Sequence, residues 1–478
     1  MANLPPLHPA MSFNTLILDF NDVVAGATIG SSKQLKAALA SRTWLDYETG
    51  RITQDACYRR LETEFSIPSA DIHQALRKMR DSLRLNEHLI ALIRQIKQEK
   101  RVKVISMSNI SAPDYESLRS AYPELLSLFD HIFTSTSVGL RKPSLSFFRH
   151  VFAETCAEPG RTVFVDQDAQ NILSARSLGM YGVISDGNLR RSLSNLFGDA
   201  VSRARLFLRD GAGHHHTVIE NGITFHDNFS QLLILELTAD RSLVHLVKQN
   251  GPWNFFQGPP VMTTASFPED LDTTSLALTI MPPDACAVNS MMDEMLRYLT
   301  EDDIIGTYFD HSRPRFDPTV CVNVLSLFYS FNRGSELAST LYWVRDVLLN
   351  RAYVDGSRYY ATGECFLYFL ARLLQRAEDP ALHSLLEPLL KQRIQEHIAR
   401  PGDAVALSMR LIVCEYLGIE NRIDLQSLLA LQCEDGGWAI GPVYRYGVSG
   451  LKIGNRGLTT ALAVKALELG ERFAPSGI

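Results

Sequence analysis

"FNTLILDFNDVV", residues 13–24, decides how the first part of this chain folds. The apolar run Leu16-Ile17-Leu18 stops at Asp19. A run this short reads as a strand buried on both faces, with a carboxylate at its C-terminal edge. Three similar runs follow: "VKVISMSN" at 102–109, "HIFTS" at 131–135 and "RTVFVD" at 161–166. Helical patterns lie between them. Strands alternating with helices predict a doubly wound parallel sheet, with its site at the strand C-termini. Asp19, Ser108 and Asp166 fall at such ends. Residues 31–98 are mostly helical in pattern, with apolar residues three and four apart in "SSKQLKAALASRTWL", "TQDACYRRLETEF" and "SADIHQALRKMRDSL".

The pattern changes near residue 190. "DGAGHHHTVIENG", residues 210–222, is polar and reads as a connector. Its three histidines have no acids or cysteines close by, so a metal site is not expected there. Beyond residue 225 the long patterns are helical, among them "VNVLSLFYSF", "ASTLYWVRDVLLN", "CFLYFLARLLQRA" and "VALSMRLIVCEYLG". Some 250 residues of paired helices predict an α/α barrel or helical solenoid.

Bulk properties narrow the class. At 478 residues the chain exceeds one ordinary core. It is 46% hydrophobic and 21% charged, with a net charge of −6, which gives no electrostatic footprint for nucleic acid. No apolar run reaches the ~20 residues that span a bilayer, and the N-terminus has no secretory pattern. The seven cysteines include no C-x-x-C pair and read as thiols in a reducing compartment, so a cytoplasmic enzyme is expected. Oligomeric state is not legible.

Four residues in order, Asp19, Ser108, Lys142 in "GLRKPS" and Asp166 in "VFVDQDAQN", make residues 12–190 resemble the haloacid dehalogenase-like hydrolases. The resemblance implies a phosphatase domain over residues 1–200, with a small helical cap at about 25–98. It implies Asp19 as nucleophile, Ser108, Asn109 and Lys142 as phosphate ligands, and Mg2+ held by Asp19, Asp166 and Asp168. Two positions depart from the pattern. Asn21 stands where such phosphatases carry a second Asp as general acid/base, and an amide cannot transfer a proton. Asp22 is the nearby substitute, although neighbouring side chains of an extended segment point apart. Gln167 replaces an acid beside the metal ligand, which leaves Asp168 as the alternative. Without an acid at 21, a diphosphate anhydride should be cut faster than a monophosphate ester.

"FPEDLDTTSLAL", residues 267–278, places Asp270 and Asp272 one residue apart among apolar neighbours. Burial favours the neutral acid, and a nearby carboxylate raises the pKa further. Such an acid can protonate an alkene, and the threonines can orient it. The carbocation that results needs a cavity of aromatic faces. Trp253, Phe255, Phe256, Tyr308, Phe309, Tyr342, Trp343, Tyr359, Tyr360, Tyr444 and Tyr446 are available, and Trp253, Phe256, Tyr308, Trp343 and Tyr444 are the expected lining.

The Asp-x-Asp-Thr-Thr form resembles the acid motif of class II terpene cyclases, in particular the drimane-type sesquiterpene synthases, which join both kinds of domain. Gln432, Gly436 and Trp438 in "LQCEDGGW" resemble the Gln-x-x-x-Gly-x-Trp repeat of squalene cyclase-like barrels. The resemblance implies a cyclase domain over 215–478 with Asp272 as proton donor, Asp270 as its neighbour and a prenyl diphosphate as substrate. Lys452 and Arg456, in a glycine-rich stretch that allows close backbone approach, are the expected diphosphate ligands, with Arg313, Arg315 and Arg445 as further candidates. The implied function is cyclisation of farnesyl diphosphate to a bicyclic diphosphate, then dephosphorylation towards a drimane alcohol of drimenol or albicanol type. Two other readings stay open. One is a cyclase whose first domain is an inert scaffold. The other is a small-molecule phosphatase with a helical interaction module.

Overall fold

The computed structural model of the chain describes residues 13–25, 33–247, 249 and 251–470. It divides into two compact units, Met1–Gly198 and Asp199–Ile478. Among the described residues no helix is long and apolar enough to cross a membrane.

The first unit is built on five strands: β1 (Thr15–Leu18), β2 (Lys103–Ser108), β3 (His131–Thr134), β4 (Thr162–Asp166) and β5 (Tyr181–Ile184). They lie in the order β3-β2-β1-β4-β5, all parallel. Alternate residues of β1 serve opposite faces. Leu16 and Leu18 pack with Val104 and Val163, whereas Ile17 packs with Ile105, Met107 and Phe164. Both faces are covered, which is why the strands read as unbroken apolar runs. The β1–β4 register sets Ile17 beside Phe164, so the acids that follow, Asp19 and Asp166, leave the sheet at the same edge.

Four helices, Lys33–Leu39, Arg42–Glu48, Gln54–Phe65 and Ser69–Ser82, form a separate small core around Trp44, Tyr58, Leu61 and Ile72. Ser41 and Thr53 cap two of them at the N-terminus through side-chain oxygens, each cap worth about 1 kcal/mol. The next helix, Glu87–Lys100, was expected in this cap. It packs instead on the sheet core through Leu89, Ile93 and Ile96. Its apolar spacing is that of a cap helix, and only the packing partner distinguishes the two.

The second unit is a ring of six helices: α1 (Asn228–Thr238), α2 (Leu271–Ile280), α3 (Pro318–Ser330), α4 (Gly363–Arg376), α5 (Ala404–Tyr416) and α6 (Arg456–Gly470). Each packs on the next, and α6 packs back on α1 to close the ring. The helices Ala285–Met295, Ala338–Leu349, Pro380–Gln395, Arg422–Ala430 and Ala200–Asp210 lie outside it. Ring helices are apolar nearly all round, as elements buried on every side must be. Four of them begin at an aspartate, Asp227, Asp270, Asp317 or Asp403, whose side chain accepts the first free backbone N–H groups. Opposite helices also meet. Arg372 and Arg376 of α4 pair with Glu236 of α1, three places away in the ring, so this ion network crosses its interior.

A small antiparallel sheet completes the unit, from β6 (Thr217–Ile219), β7 (Thr224–Phe225), β8 (Pro442–Arg445) and β9 (Lys452–Asn455), in the order β8-β9-β6-β7. The supposed connector at 210–222 is therefore structural: His215 is buried, and its ring lies 3.0 Å from the Leu208 carbonyl. Thr217, Val218 and Ile219 supply β-branched side chains to β6, a signal that the neighbouring polar residues masked.

Candidate functional site

The chain carries two candidate sites, one in each unit. The first lies at the C-terminal edge of the parallel sheet. Lys142, 1% exposed, places its Nζ 2.5 Å from Asp19 Oδ2 and 2.6 Å from Asp166 Oδ2. Burial pulls the ammonium pKa down, but the charges of Asp19 and Asp166 outweigh it and hold the group above the usual lysine range. Asn171 donates to both oxygens of Asp166 at 3.0 Å, and its own Oδ1 is buried without a partner. Ser108 Oγ accepts the Phe20 amide at 2.9 Å and lies 3.3 Å from Ser106 Oγ.

Three expected site residues, Asp22, Asp168 and Asn109, stand differently. Residues Phe20–Val23 form one helical turn rather than extended chain. Asp22, three residues on, is thereby carried back to the nucleophile position, and its Oδ2 accepts the Asp19 backbone N–H at 3.0 Å. Its side chain is buried, and the Ser185 hydroxyl acts on it as a donor. Burial, reinforced by the charge of Asp19, pushes the Asp22 carboxyl up to about 7. Asn21 instead points outward, and Gln167 donates to its carbonyl at 3.0 Å. Asp168 is not turned towards Asp166: it caps the helix Ala169–Ser177, accepting from the Gln170 amide at 2.8 Å. Asn109 spends both side-chain ends on the Lys142 backbone, at 2.9 and 3.1 Å, so it fixes the lysine rather than offering a ligand. Among the described residues no group of three or more His, Cys, Asp or Glu could hold a metal ion. Mg2+ is usually held by only one or two carboxylates with water and phosphate, and the oxygens of Asp19, Asp166 and Asn171 suit that hard ion.

The second site lies at the first turns of the ring helices. Asp272, buried in the opening turn of α2, accepts the Tyr360 hydroxyl at Oδ2 (2.6 Å) and the Asn323 amide at Oδ1 (2.8 Å). Asp270 is the N-cap of α2, with its oxygens on the Thr273 N–H (2.6 Å) and hydroxyl (3.0 Å). The threonines therefore hold Asp270 and the backbone, not Asp272 as expected: Thr274 Oγ1 donates to the Asp270 carbonyl and accepts the Trp253 N–H. Burial pushes Asp272 up to about 7. Burial and the charge of Asp272 push Asp270 up to about 8.

Aromatic rings run edge to face away from the acid. Tyr360 meets Tyr444 at 5.7 Å, Tyr444 meets Phe255 at 5.4 Å and Phe255 meets Phe256 at 5.1 Å. Phe267, Tyr308 and Tyr359 continue the series at 5.2–5.9 Å spacing. Trp253 joins through its carbonyl, which accepts the Asp270 N–H. Trp343 does not belong: it sits on the outer helix Ala338–Leu349 against Phe316.

The basic residues also sort differently. Arg456 is committed to Asp435 by two 2.8 Å bonds and stacks over Phe207, so it is no free anion ligand. Lys452 is exposed on β9, opposite Arg445. Arg445 donates to the Ser357 carbonyl at 2.6 Å, and Arg358 lies over Tyr359. Arg313 lies over Tyr308 and pairs with Asp310, and the charge of Arg315 acts on the same tyrosine. Among the described residues no carboxylate is paired with Arg315, Arg358 or Arg445. The Gln-x-x-x-Gly-x-Trp residues form a clamp: Gln432 donates to the Gly436 carbonyl, and Trp438 Nε1 donates to that of Leu428.

The sequence reading missed Asn323 as a partner of Asp272. Its signal was a lone amide inside the apolar run "VCVNVLSLF", since a buried amide needs a partner. Tyr360 was visible only as one aromatic among many.

Residues 12–179 match the family model for haloacid dehalogenase-like hydrolases, and residues 201–331 match that for the sesquiterpene cyclase astC-like C-terminal domain. The sesquiterpene phosphatase astK of Aspergillus oryzae is 36% identical over 153 residues, covering 32% of this chain and 77% of its own. Among solved structures, the type II terpene cyclase MstE from Scytonema covers 57% of this chain and 97% of its own, with a TM-score of 0.42 at 13% identity. The drimenol cyclase drtB of Aspergillus calidoustus is 42% identical over 461 residues, covering 95% of this chain and 87% of its own. Similarity at that level across both units shows that the chain belongs to the drimenol cyclase family, class II terpene cyclases that carry a haloacid dehalogenase-like domain.

Proposed function

We propose that this enzyme cyclises farnesyl diphosphate to a bicyclic drimane diphosphate in its second unit and removes phosphate in its first, towards a drimane alcohol of drimenol or albicanol type. The functional domains follow the two compact units. The observation that carries the reading is Asp272: a buried carboxyl, pushed up to about 7, with no cation bonded to it among the described residues and a series of aromatic rings beside it. Such an acid is neutral when it meets an alkene and is surrounded by faces that tolerate a carbocation.

Asp272 protonates the terminal alkene, the π pair forms the new C–H bond, and two ring closures follow before a proton is lost. The C–O bond to the diphosphate is untouched, so the product still needs a phosphatase. Trp253, Phe256, Tyr308 and Tyr444 wall the cation, and Asp270 keeps the helix start in place. Arg315, Arg358 and Arg445, grouped around Tyr308 and Tyr359, hold the diphosphate in place of Arg456.

In the first unit Asp19 attacks phosphorus and forms an aspartyl-phosphate. Lys142 and Ser108 steady the phosphoryl oxygens. Mg2+, when bound by Asp19 and Asp166, supplies positive charge to those oxygens. Asp22 protonates the leaving oxygen and later activates water, the work Asn21 cannot do. This removes the ground for expecting the monoester step to lag.

The test is one incubation with farnesyl diphosphate and Mg2+, with organic products analysed before and after added phosphatase. Cyclised alcohol before treatment supports both activities. Cyclised product seen only after treatment favours the inert-scaffold reading, and no cyclised product at all overturns the assignment of the second unit.

A further inference from the structure

A diphosphate carries two phosphoryl groups joined through one bridging oxygen, so the second group lies next to whichever one is under attack. Lys142 has three N–H donors, and two of them are used on Asp19 and Asp166. Its third N–H, with Ser108 and Mg2+, serves one set of phosphoryl oxygens. The charge of the neighbouring phosphate needs a cation of its own.

Arg141 precedes Lys142 in the chain, and its side chain is 29% exposed. Its Nη2 lies 3.2 Å from Glu48 Oε2, at the C-terminal end of the cap helix Arg42–Glu48. This pair is looser than the one beside it, where Lys142 sits 2.5 and 2.6 Å from its two carboxylates. Burial pushes the Glu48 carboxyl above its usual range in spite of Arg141, and the charge of Asp19 adds to the push. Glu48 is therefore a poor counter-ion, close enough to the nucleophile to feel its charge. The pair is also not the cap's single tie to the core. Ser135 Oγ donates to the Glu48 carbonyl at 2.7 Å. Arg80 Nε donates to Asp114 Oδ1 at 2.6 Å, between the cap helix Ser69–Ser82 and the core helix Ala112–Ala121. Trp44 Nε1 donates to Glu48 Oε1 at 2.9 Å from the same helix, so the carboxylate keeps a partner when the arginine leaves. A phosphate offers the guanidinium more than Glu48 does: a fork-matched pair of oxygens and a larger charge.

Resting on the reading of the first unit as a phosphatase that receives a cyclised diphosphate, we infer that Arg141 exchanges Glu48 for the phosphate beside the one transferred, and so selects the diphosphate over the monophosphate. The anhydride step balances. An Asp19 oxygen bonds to the terminal phosphorus, the bridging P–O bond breaks, and its electron pair stays on the departing monophosphate, whose charge Arg141 meets. Water then cleaves the aspartyl-phosphate, which gives inorganic phosphate and restores Asp19. In the second step the remaining phosphate takes the place beside Lys142, and carbon rather than phosphate faces Arg141. The arginine therefore serves the first step and not the second.

The full-length Asp19→Asn enzyme supplies the substrate by converting farnesyl diphosphate to cyclised diphosphate. The monophosphate is made by phosphorylating the cyclised alcohol. Steady-state hydrolysis of each, with Mg2+, is measured for wild type, Arg141→Met, Arg141→Lys and Glu48→Gln. Arg141→Met keeps most of the stem and drops the charge. Hydrogen bonds to a charged group are worth about 10- to 100-fold, so KM for the diphosphate should rise by that factor, with both constants for the monophosphate within about twofold. Arg141→Lys should recover part of the loss. Glu48→Gln removes the competing carboxylate and should lower the diphosphate KM severalfold.

Equal losses on both substrates in Arg141→Met, or no loss on the diphosphate, would overturn the inference. So would a raised diphosphate KM in Glu48→Gln, which marks the pair as a structural tie. The Asp19→Asn enzyme keeps the two readings apart. If it releases phosphate as wild type does, the phosphatase reading fails and this inference with it. If it accumulates cyclised diphosphate while Arg141→Met behaves as wild type on both substrates, only the inference fails.

Discussion

Asp19 and Asp166 in one unit and Asp270 and Asp272 in the other are buried carboxylates of the same type in opposite surroundings, and the proposed function gives the two pairs opposite tasks. Lys142 lies between the first pair, within 2.6 Å of each. The contact pairs both carboxylates with an ammonium, and Asp19 is the one proposed as nucleophile. Among the described residues the second pair has no bonded cation, only neutral donors, and burial pushes both upward. A neutral carboxyl is an acid. The comparison teaches that the partner, not the residue, decides whether an aspartate attacks or protonates.

Five experiments can break or sharpen that contrast. Lys142→Met strips the cation from the first pair and leaves two buried charges uncompensated. Breaking a buried pair costs about 3–5 kcal/mol, so the first transition in calorimetry should fall sharply and dephosphorylation should vanish. Asn323→Lys does the reverse and sets an ammonium beside Asp272. An opposite charge at this range lowers a carboxyl pKa by ~1–3 units, so cyclisation near neutral pH should drop by ~10–10³-fold while phosphate release from a simple ester persists. Asp22→Asn removes the acid that the helical turn delivers, and general acid loss of ~10²-fold should appear in alcohol formation from the cyclised monophosphate. Asn21→Asp, in contrast, should give less than about a twofold gain, because Asp22 already fills the role. The last test is on the wild type itself. As the proposed proton donor Asp272 must be protonated, and it is pushed up to about 7, so raising pH through that value should cost cyclisation about tenfold per unit once above it.

Much of the first unit was legible because its site follows from chain order. Strands of a parallel sheet end at one edge, so acids that end apolar runs meet there. Asp22 was misjudged because the turn after β1 was read as extended, and a helical turn changes which neighbour returns to the site. The ring was legible as a class from unbroken helical periodicity. Its interior was not. Whether an aromatic faces inward depends on which helices form the inner layer, so Trp343 and Tyr360 were indistinguishable in sequence. Arg456 was misassigned for a related reason: its partner Asp435 stands 21 residues away and shows no sequence spacing. The 51- and 88-residue separations of Asn323 and Tyr360 from Asp272 lie beyond any local pattern.

The ring closes on itself through its first and last helices, α1 and α6. In folding terms this is a circle of long-range contacts that local structure alone cannot complete. During synthesis the first unit can fold while the second still lacks α6. Until α6 arrives, the segments bearing Asp272, Asn323 and Tyr360 are not held together by a closed wall. In that open state Asp272 is an ordinary wet carboxyl with a pKa near ~3.9, ionised and harmless. The retained proton that an alkene can take up near neutral pH is therefore not a property of any stretch of the chain. It arises only when the last helix seats, so a nascent or partly unfolded enzyme carries no misplaced acid.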